Sequence, residues 1–295
     1  MRPLELELPR VPLGRWIEDG IDWINDNLDG LLGFIDSTGT DMYEWLVDLL
    51  LAPPSLVMVA LFTLLTLLVR SWKMAVGVLL SFLLVVSIGQ WANMMHTLAL
   101  VLLATITAVV IAIPLGVWCA KSDTVSAMVR PLLDLMQTLP AFVYLIPAIT
   151  FFSIGVVPGL FSTVIFALPP GVRMTELGIR QVDSETVEAG QSFGATEWEI
   201  LRGIQLPLAV PTIMAGVNQV IMLALSMAVI SGMVGAEGLG KVVVEALATI
   251  DIAKGAEAGL SIVFLAIFLD RVTSAFGTAR EKSVWRRFLP KRGTN

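Results

Sequence analysis

Charged residues are absent from 135–172 and again from 203–236, and a polar segment lies between these two apolar blocks. A helix over 135–172 would run about 57 Å, too long for one crossing of a ~30 Å hydrocarbon core. The run Gly155-Val-Val-Pro158-Gly159 is the evident turn within it. Passes are therefore predicted at 139–155 and 158–174, the first broken or tilted because Pro140 and Pro147 forbid a straight helix. Upstream, uncharged runs predict passes at 55–69, 74–88 and 97–120, with Pro114 kinking the last and Gln90 to Asn93 forming an interfacial loop. Downstream, 208–233 reads as a pass, Gly235 to Gly240 as a backbone turn and 241–253 as a short amphipathic segment. A final pass is anchored by 259–269 and ends near Asp270. Residues 1–52 follow a different rhythm. Trp16, Ile17, Ile21, Trp23, Ile24, Leu28, Leu31, Leu32 and Ile35 recur at near-helical spacing, with Glu18, Asp19, Asp22, Asp26 and Asp29 between them. That is an amphipathic helix with an acidic face, packed outside the bundle and suited by its tryptophans to the membrane interface. Pro53-Pro54 closes it.

The polar segment has helix signals of its own. Asp183 or Ser184 can cap a short helix, Gly194 breaks it, and Thr196 with Glu199 forms a capping box for a second. Pro207 and Pro211 mark entry into the next pass. Glu188-Ala189-Gly190, then Gly194, then Ile204-x-Leu206-Pro207 resembles the cytoplasmic signature of ABC-importer permeases, which runs E-A-A, three residues, G, nine residues, I-x-L-P. Every spacing fits; Gly190 replaces the second Ala and stays small. The resemblance implies that Glu188, Ala189, Gly190, Gly194, Ile204, Leu206 and Pro207 couple the chain to an ATPase.

Composition agrees with a polytopic membrane protein: 56% of the 295 residues are hydrophobic and 15% charged, where a soluble domain carries about a quarter charged. Charge placement gives an orientation. The tail 280–295 holds Arg280, Lys282, Arg286, Arg287, Lys291 and Arg292 against Glu281. Seven passes with that tail inside also put Arg70, Lys73, Lys121, Arg130 and the 183–207 loop inside. The region 1–52, with 11 acidic residues against 3 arginines, then falls outside. The expected organisation is an extracytoplasmic or interfacial region 1–52, two additional passes in 53–94, a core permease domain 95–279 with its coupling loop at 183–207, and a basic cytoplasmic tail 280–295.

Catalysis has little to draw on. Cys119 is the only cysteine and His96 the only histidine, so no metal site and no Ser-His triad is expected. Asp134, Glu176 and Asp270 fall near pass ends, and no G-x-x-x-x-G-K-[ST] loop occurs. An intramembrane enzyme or a membrane scaffold leaves the signature spacing unexplained.

The stretches M-Q-T-L-P-A-F-V-Y-L-I-P (136–147), P-P-G-V-R-M-T (169–175) and I-Q-L-P-L-A-V-P-T-I-M-A-G-V-N-Q (204–219) narrow the resemblance to permeases of glycine betaine/proline betaine importers. This implies an all-α, type I ABC importer fold with about seven transmembrane helices and a cytoplasmic coupling helix. It also implies a homodimer in the cell membrane, in contact with lipid, with ABC ATPase subunits inside that bind ATP and Mg, and an extracytoplasmic substrate-binding protein. No cofactor is expected in this chain, and no nucleic acid. Choline and carnitine importers share much of the pattern, and an amino-acid importer is the alternative. A betaine has no net charge, so its path needs no buried counter-ion. Candidate path residues are Met136, Gln137, Thr138, Phe142 and Tyr144, with Asn218, Gln219, Met222 and Ser226 along one stretch of helix.

Overall fold

The computed structural model describes residues 11–278; the basic tail 280–295 lies outside them. Helix α1 (Leu13–Leu51) is long and leaves helical geometry at Leu28. A hairpin follows, α2 (Ser55–Val69) and α3 (Trp72–Ser87). Next come α4 (Trp91–Lys121), α5 (Asp123–Thr138), a 3-10 turn (Ala141–Tyr144), α6 (Leu145–Phe152) and α7 (Val156–Arg180). The polar loop holds α8 (Ser184–Ser192) and α9 (Glu197–Ile200), which runs through a π turn into α10 (Leu206–Ser231). Helices α11 (Leu239–Thr249) and α12 (Ile252–Thr278) complete the chain.

Among the described residues, four helical runs are long and apolar enough to cross a membrane alone: Trp91–Lys121, Val156–Arg180, Glu197–Val234 and Ile252–Ala275. The other three expected passes are shorter or broken. Helix α2 meets α1 at 95°, α3 has 16 residues, and α5 bends 108° into the 3-10 turn and α6. The pass expected at 139–155 is broken, as Pro140 and Pro147 predicted, and it is preceded by a helix, α5, that the sequence reading did not place. Arg130 bonds Glu176, the Tyr144 ring lies 6.1 Å from Phe166, and Phe152 lies 5.2 Å from Phe161. Residue numbers rise on one side as they fall on the other, so the bent segment 123–152 touches α7 first near its end and last near its start. Polar residues hid α5 in the sequence. Arg130 and Asp134 find partners in Glu176 and Arg173 of α7, which lets an amphipathic helix lead into the bundle.

Helix α7 is the centre of the bundle, clasped by α4 and α10 at backbone-close distances. A Cβ on Gly116 of α4 would lie 2.6 Å from Thr175 Cβ, and one on Gly216 of α10 would lie 2.6 Å from Met174 Cβ. Small residues are the usual means of such approach where lipid removes the hydrophobic drive for helix association. The α2–α3 hairpin joins this core through rings: Phe62, Phe82, Trp91 and Phe268 sit with centroids 5.2–6.4 Å apart. That contact explains why α4 begins at Trp91 and the interfacial loop expected at Gln90 to Asn93 is helical from Trp91 on. Helix α4 then continues through Pro114 to Lys121.

One end of the bundle is tied by Gly155 N–H to the Val234 carbonyl (2.9 Å) and by Leu239 N–H to Thr97 Oγ1 (2.8 Å). Helix α1 lies across this end. Asn25 donates to the Thr150 carbonyl (3.3 Å), Gly39 approaches Val157, and the Tyr43 hydroxyl lies 2.9 Å from His96 Nδ1. The expected amphipathic helix is there, and Trp16, Ile17 and Trp23 on it are exposed. The polar loop sits at the opposite end, where α4 and α7 finish.

Candidate functional site

The loop's conformation follows from its sequence turn by turn. Asp183 caps α8, accepting from Glu185 N–H (3.4 Å) and from the Thr186 hydroxyl (3.3 Å). The helix stops at Gly194, whose φ of +82° suits glycine and strains other residues. Gly194 N–H donates to the Gln191 carbonyl (2.8 Å) and Ala195 N–H to the Gly190 carbonyl (3.1 Å), so the reversal is hydrogen-bonded. The capping box is complete: Glu199 N–H reaches Thr196 Oγ1 (3.4 Å) while Thr196 N–H reaches Glu199 Oε2 (2.8 Å).

The two halves of the signature touch. A Cβ on Gly190 would lie 2.7 Å from Ile204 Cδ1 and 3.5 Å from Ile200 Cγ1. Small residues are needed at 190 because α8 folds back onto the strip Ile200–Ile204. Ile200 and Leu201 are buried, and Leu201 packs with Ile179, Ala209 and Ile213 at the ends of α7 and α10. Ile204, Leu206 and Pro207 are half-buried, so they form the loop's foundation; Glu188, Ala189 and Gly194 are exposed and form its outer face.

Two aromatic residues not singled out by the motif stand on that face: Phe193 is 93% exposed and Trp198 64%. Their signal was present in the sequence as aromatic side chains on either side of Gly194 in an otherwise polar segment. Between α8 and the helix ends lies a cleft of about 340 Å³ whose walls include Arg180, Ser184, Val187, Glu188 and Gln205. Among the described residues, Gln205 Oε1 is buried there without a hydrogen-bond partner.

The candidate path residues divide into two groups. Gln137, Thr138 and Phe142 are exposed around the α5 bend, and Gln219, Met222 and Ser226 are exposed along one face of α10. Met136 is half-buried and Tyr144 is buried, its hydroxyl donating to the Met136 carbonyl, so Tyr144 braces the bend from within. Asn218 faces α12: it donates to Asp270 Oδ1 (2.9 Å) and accepts from Thr273 Oγ1 (2.8 Å). The sequence placed Asn218 and Gln219 together; helical geometry turns adjacent residues about 100° apart. Among the described residues no group of three or more His, Cys, Asp or Glu is arranged to hold a metal ion.

Comparison with known proteins gives a consistent picture. Residues 112–286 match the family described as binding-protein-dependent transport system inner membrane component. The chain is 47% identical over 266 residues to the glycine betaine transport system permease protein OpuAB of Bacillus subtilis, covering 90% of this chain and 94% of that protein. It is 45% identical over 267 residues to the glycine betaine/proline betaine transport system permease protein ProW of Escherichia coli, covering 90% of this chain and 75% of that one. Among solved structures, an inward-facing conformation of the MetNI methionine ABC transporter superposes with a TM-score of 0.60 at 21% identity. That match covers 64% of this chain and 95% of the other, a likeness of fold.

Proposed function

The chain belongs to the family of binding-protein-dependent transport system inner membrane components, and from that premise we propose that it imports glycine betaine or a related quaternary-ammonium osmolyte, driven by ATP hydrolysed on a separate subunit. The observation that carries the coupling part is the contact between Gly190 and Ile204. It joins E-A-G to I-x-L-P into one rigid projection at the end of α7 and α10, with Glu188, Ala189, Phe193 and Gly194 outermost. The ATPase, which binds ATP and Mg, receives that projection in a groove. No nucleotide loop is read in this chain, and no nucleic acid takes part. The loop lies on the cytoplasmic side, and α1 on the side of the substrate-binding protein.

The substrate class rests on the likeness to the glycine betaine permeases, and the charge pattern supports it. In the described passes the carboxylates and guanidiniums gather mainly toward the loop end, Asp134 with Arg173 and Glu176 with Arg130 and Arg180; Asp270, expected near the end of the last pass, instead lies within α12 and bonds Asn218 midway along α10. The blocks 135–172 and 203–236 hold none. A polyamine or phosphate ester would call for compensating charge inside, at roughly 2.5–3.5 kcal/mol per residue at mid-membrane. A zwitterion with no net charge does not. The exposed faces of α5 and α10, carrying Gln137, Thr138, Phe142, Gln219, Met222 and Ser226, line the path once a second copy of the chain closes it.

Co-purification tests this reading. The permease expressed with its ATPase and binding protein should be isolated as one complex, and ATP hydrolysis should rise when betaine-loaded binding protein is added. Hydrolysis indifferent to loaded binding protein, in an intact complex, would refute it.

A further inference from the structure

A polar cluster that joins three helix ends lies outside the loop and outside the candidate path. Glu176, one turn before the end of α7, is 5% exposed. Its Oε1 receives three donors: the Ser126 hydroxyl at 2.7 Å, Arg130 Nη2 at 2.9 Å and Arg180 Nε at 3.0 Å. Arg180 is the last residue of α7. Besides Glu176 it reaches Asp123 Oδ1 (2.7 Å) at the start of α5 and donates to the Cys119 carbonyl (2.8 Å) in the last turn of α4. One carboxylate and one guanidinium thus bind three helix ends together, in fixed directions.

Both neighbours of this cluster matter. Arg180 is followed after three residues by α8, and its side chain shares the cleft wall with Ser184, Glu188 and Gln205 of the loop. Ser126 and Arg130 belong to α5, whose far end carries Met136, Gln137 and Thr138. Arg180 is joined to α8 by residues 181–183 alone, and Glu176 reaches α5 at two points one turn apart. Two contacts on one helix fix its rotation as well as its depth. Glu176 is buried while Arg130 and Asp123 stay largely exposed, and loss of a donor would leave the buried carboxylate short of a partner, which favours the cluster moving together.

We propose that Glu176 is a positioning residue that links loop 183–207 to α5, converting movement of the loop by the ATPase into rotation of the helix that leads to the path. The proposal rests on the reading of the loop as the ATPase contact.

The test uses proteoliposomes holding the permease with its ATPase and binding protein, and reads labelled glycine betaine taken up per ATP hydrolysed. Glu176→Gln keeps the shape and removes the charge that gathers the two arginines. The variant should bind the ATPase in wild-type yield and hydrolyse ATP at the basal rate, while betaine moved per ATP falls about tenfold, within the usual span of a coupling between sites. A wild-type ratio in Glu176→Gln overturns the link. Should that variant fail to insert, Ser126→Ala removes one hydrogen bond and leaves every charge; it should lower the same ratio about threefold, and an unchanged ratio again overturns the link. Wild-type proteoliposomes that take up no betaine remove the substrate reading, and the ratio is then read with the solute the wild type does accumulate; wild-type uptake with unchanged ratios removes the link alone.

Discussion

Phe193 has almost no contact with its own chain, being 93% exposed at the outermost turn of the loop. A side chain that apolar, held in place by a hydrogen-bonded reversal, suits a pocket on a partner; buried aromatic anchors dominate such interfaces. Phe193→Ala should weaken capture of the ATPase subunit by about 2 kcal/mol, roughly thirtyfold in Kd, with the permease's own Tm unchanged. Titration calorimetry or surface binding with the isolated ATPase measures the first, and thermal unfolding of the permease the second. Gly194 next to it makes a different demand. A β-branched side chain at φ +82° carries about 1–3 kcal/mol of strain. Gly194→Val should therefore insert and dimerise normally, and lose substrate-stimulated ATP hydrolysis because the projection no longer turns correctly. Full stimulation in that variant at normal expression would remove Gly194 from the coupling assignment.

Among elements, α10 shows what one helix does with neighbouring residues. Asn218 is spent on α12 through Asp270 and Thr273, while Gln219, Met222 and Ser226 face outward. Asn218→Leu leaves the Asp270 carboxylate short of a donor and should lower stability by about 1–3 kcal/mol, with the KM for betaine unchanged. Gln219→Ala should raise KM and leave Tm alone. Transport kinetics in proteoliposomes and thermal unfolding in detergent check the division; the opposite assignment would reverse the faces of α10. The same helix marks the limit of sequence reading. Spacing located α10 and the capping box at Thr196 and Glu199, because those signals are local. Which face of α10 meets α12 depends on a carboxylate 52 residues away, and no local pattern encodes it. Helix α5 was hidden for a related reason: Arg130 and Asp134 read as polar residues outside the passes until Glu176 and Arg173 stand opposite them. Phe193 and Trp198 were visible as letters, and only the fold shows that nothing in this chain covers them.

At the scale of the whole molecule, the two ends of the bundle have separate work. One end is crossed by α1 and tied by Thr97, Gly155 and Val234; the other carries the Glu176 cluster and the loop. A cysteine at Asp36 in a Cys119→Ala background should react with a membrane-impermeant thiol reagent added outside, and one at Ser192 only after permeabilisation. The reverse pattern would invert the orientation. Between these ends the blocks 135–172 and 203–236 hold no charged residue, and the measurement that tests the account most directly is uptake. Proteoliposomes containing the permease, its ATPase and its binding protein should accumulate radiolabelled glycine betaine against a gradient, only with ATP inside and loaded binding protein outside. Accumulation of methionine or another amino acid under those conditions, with no movement of betaine, choline or carnitine, would contradict it.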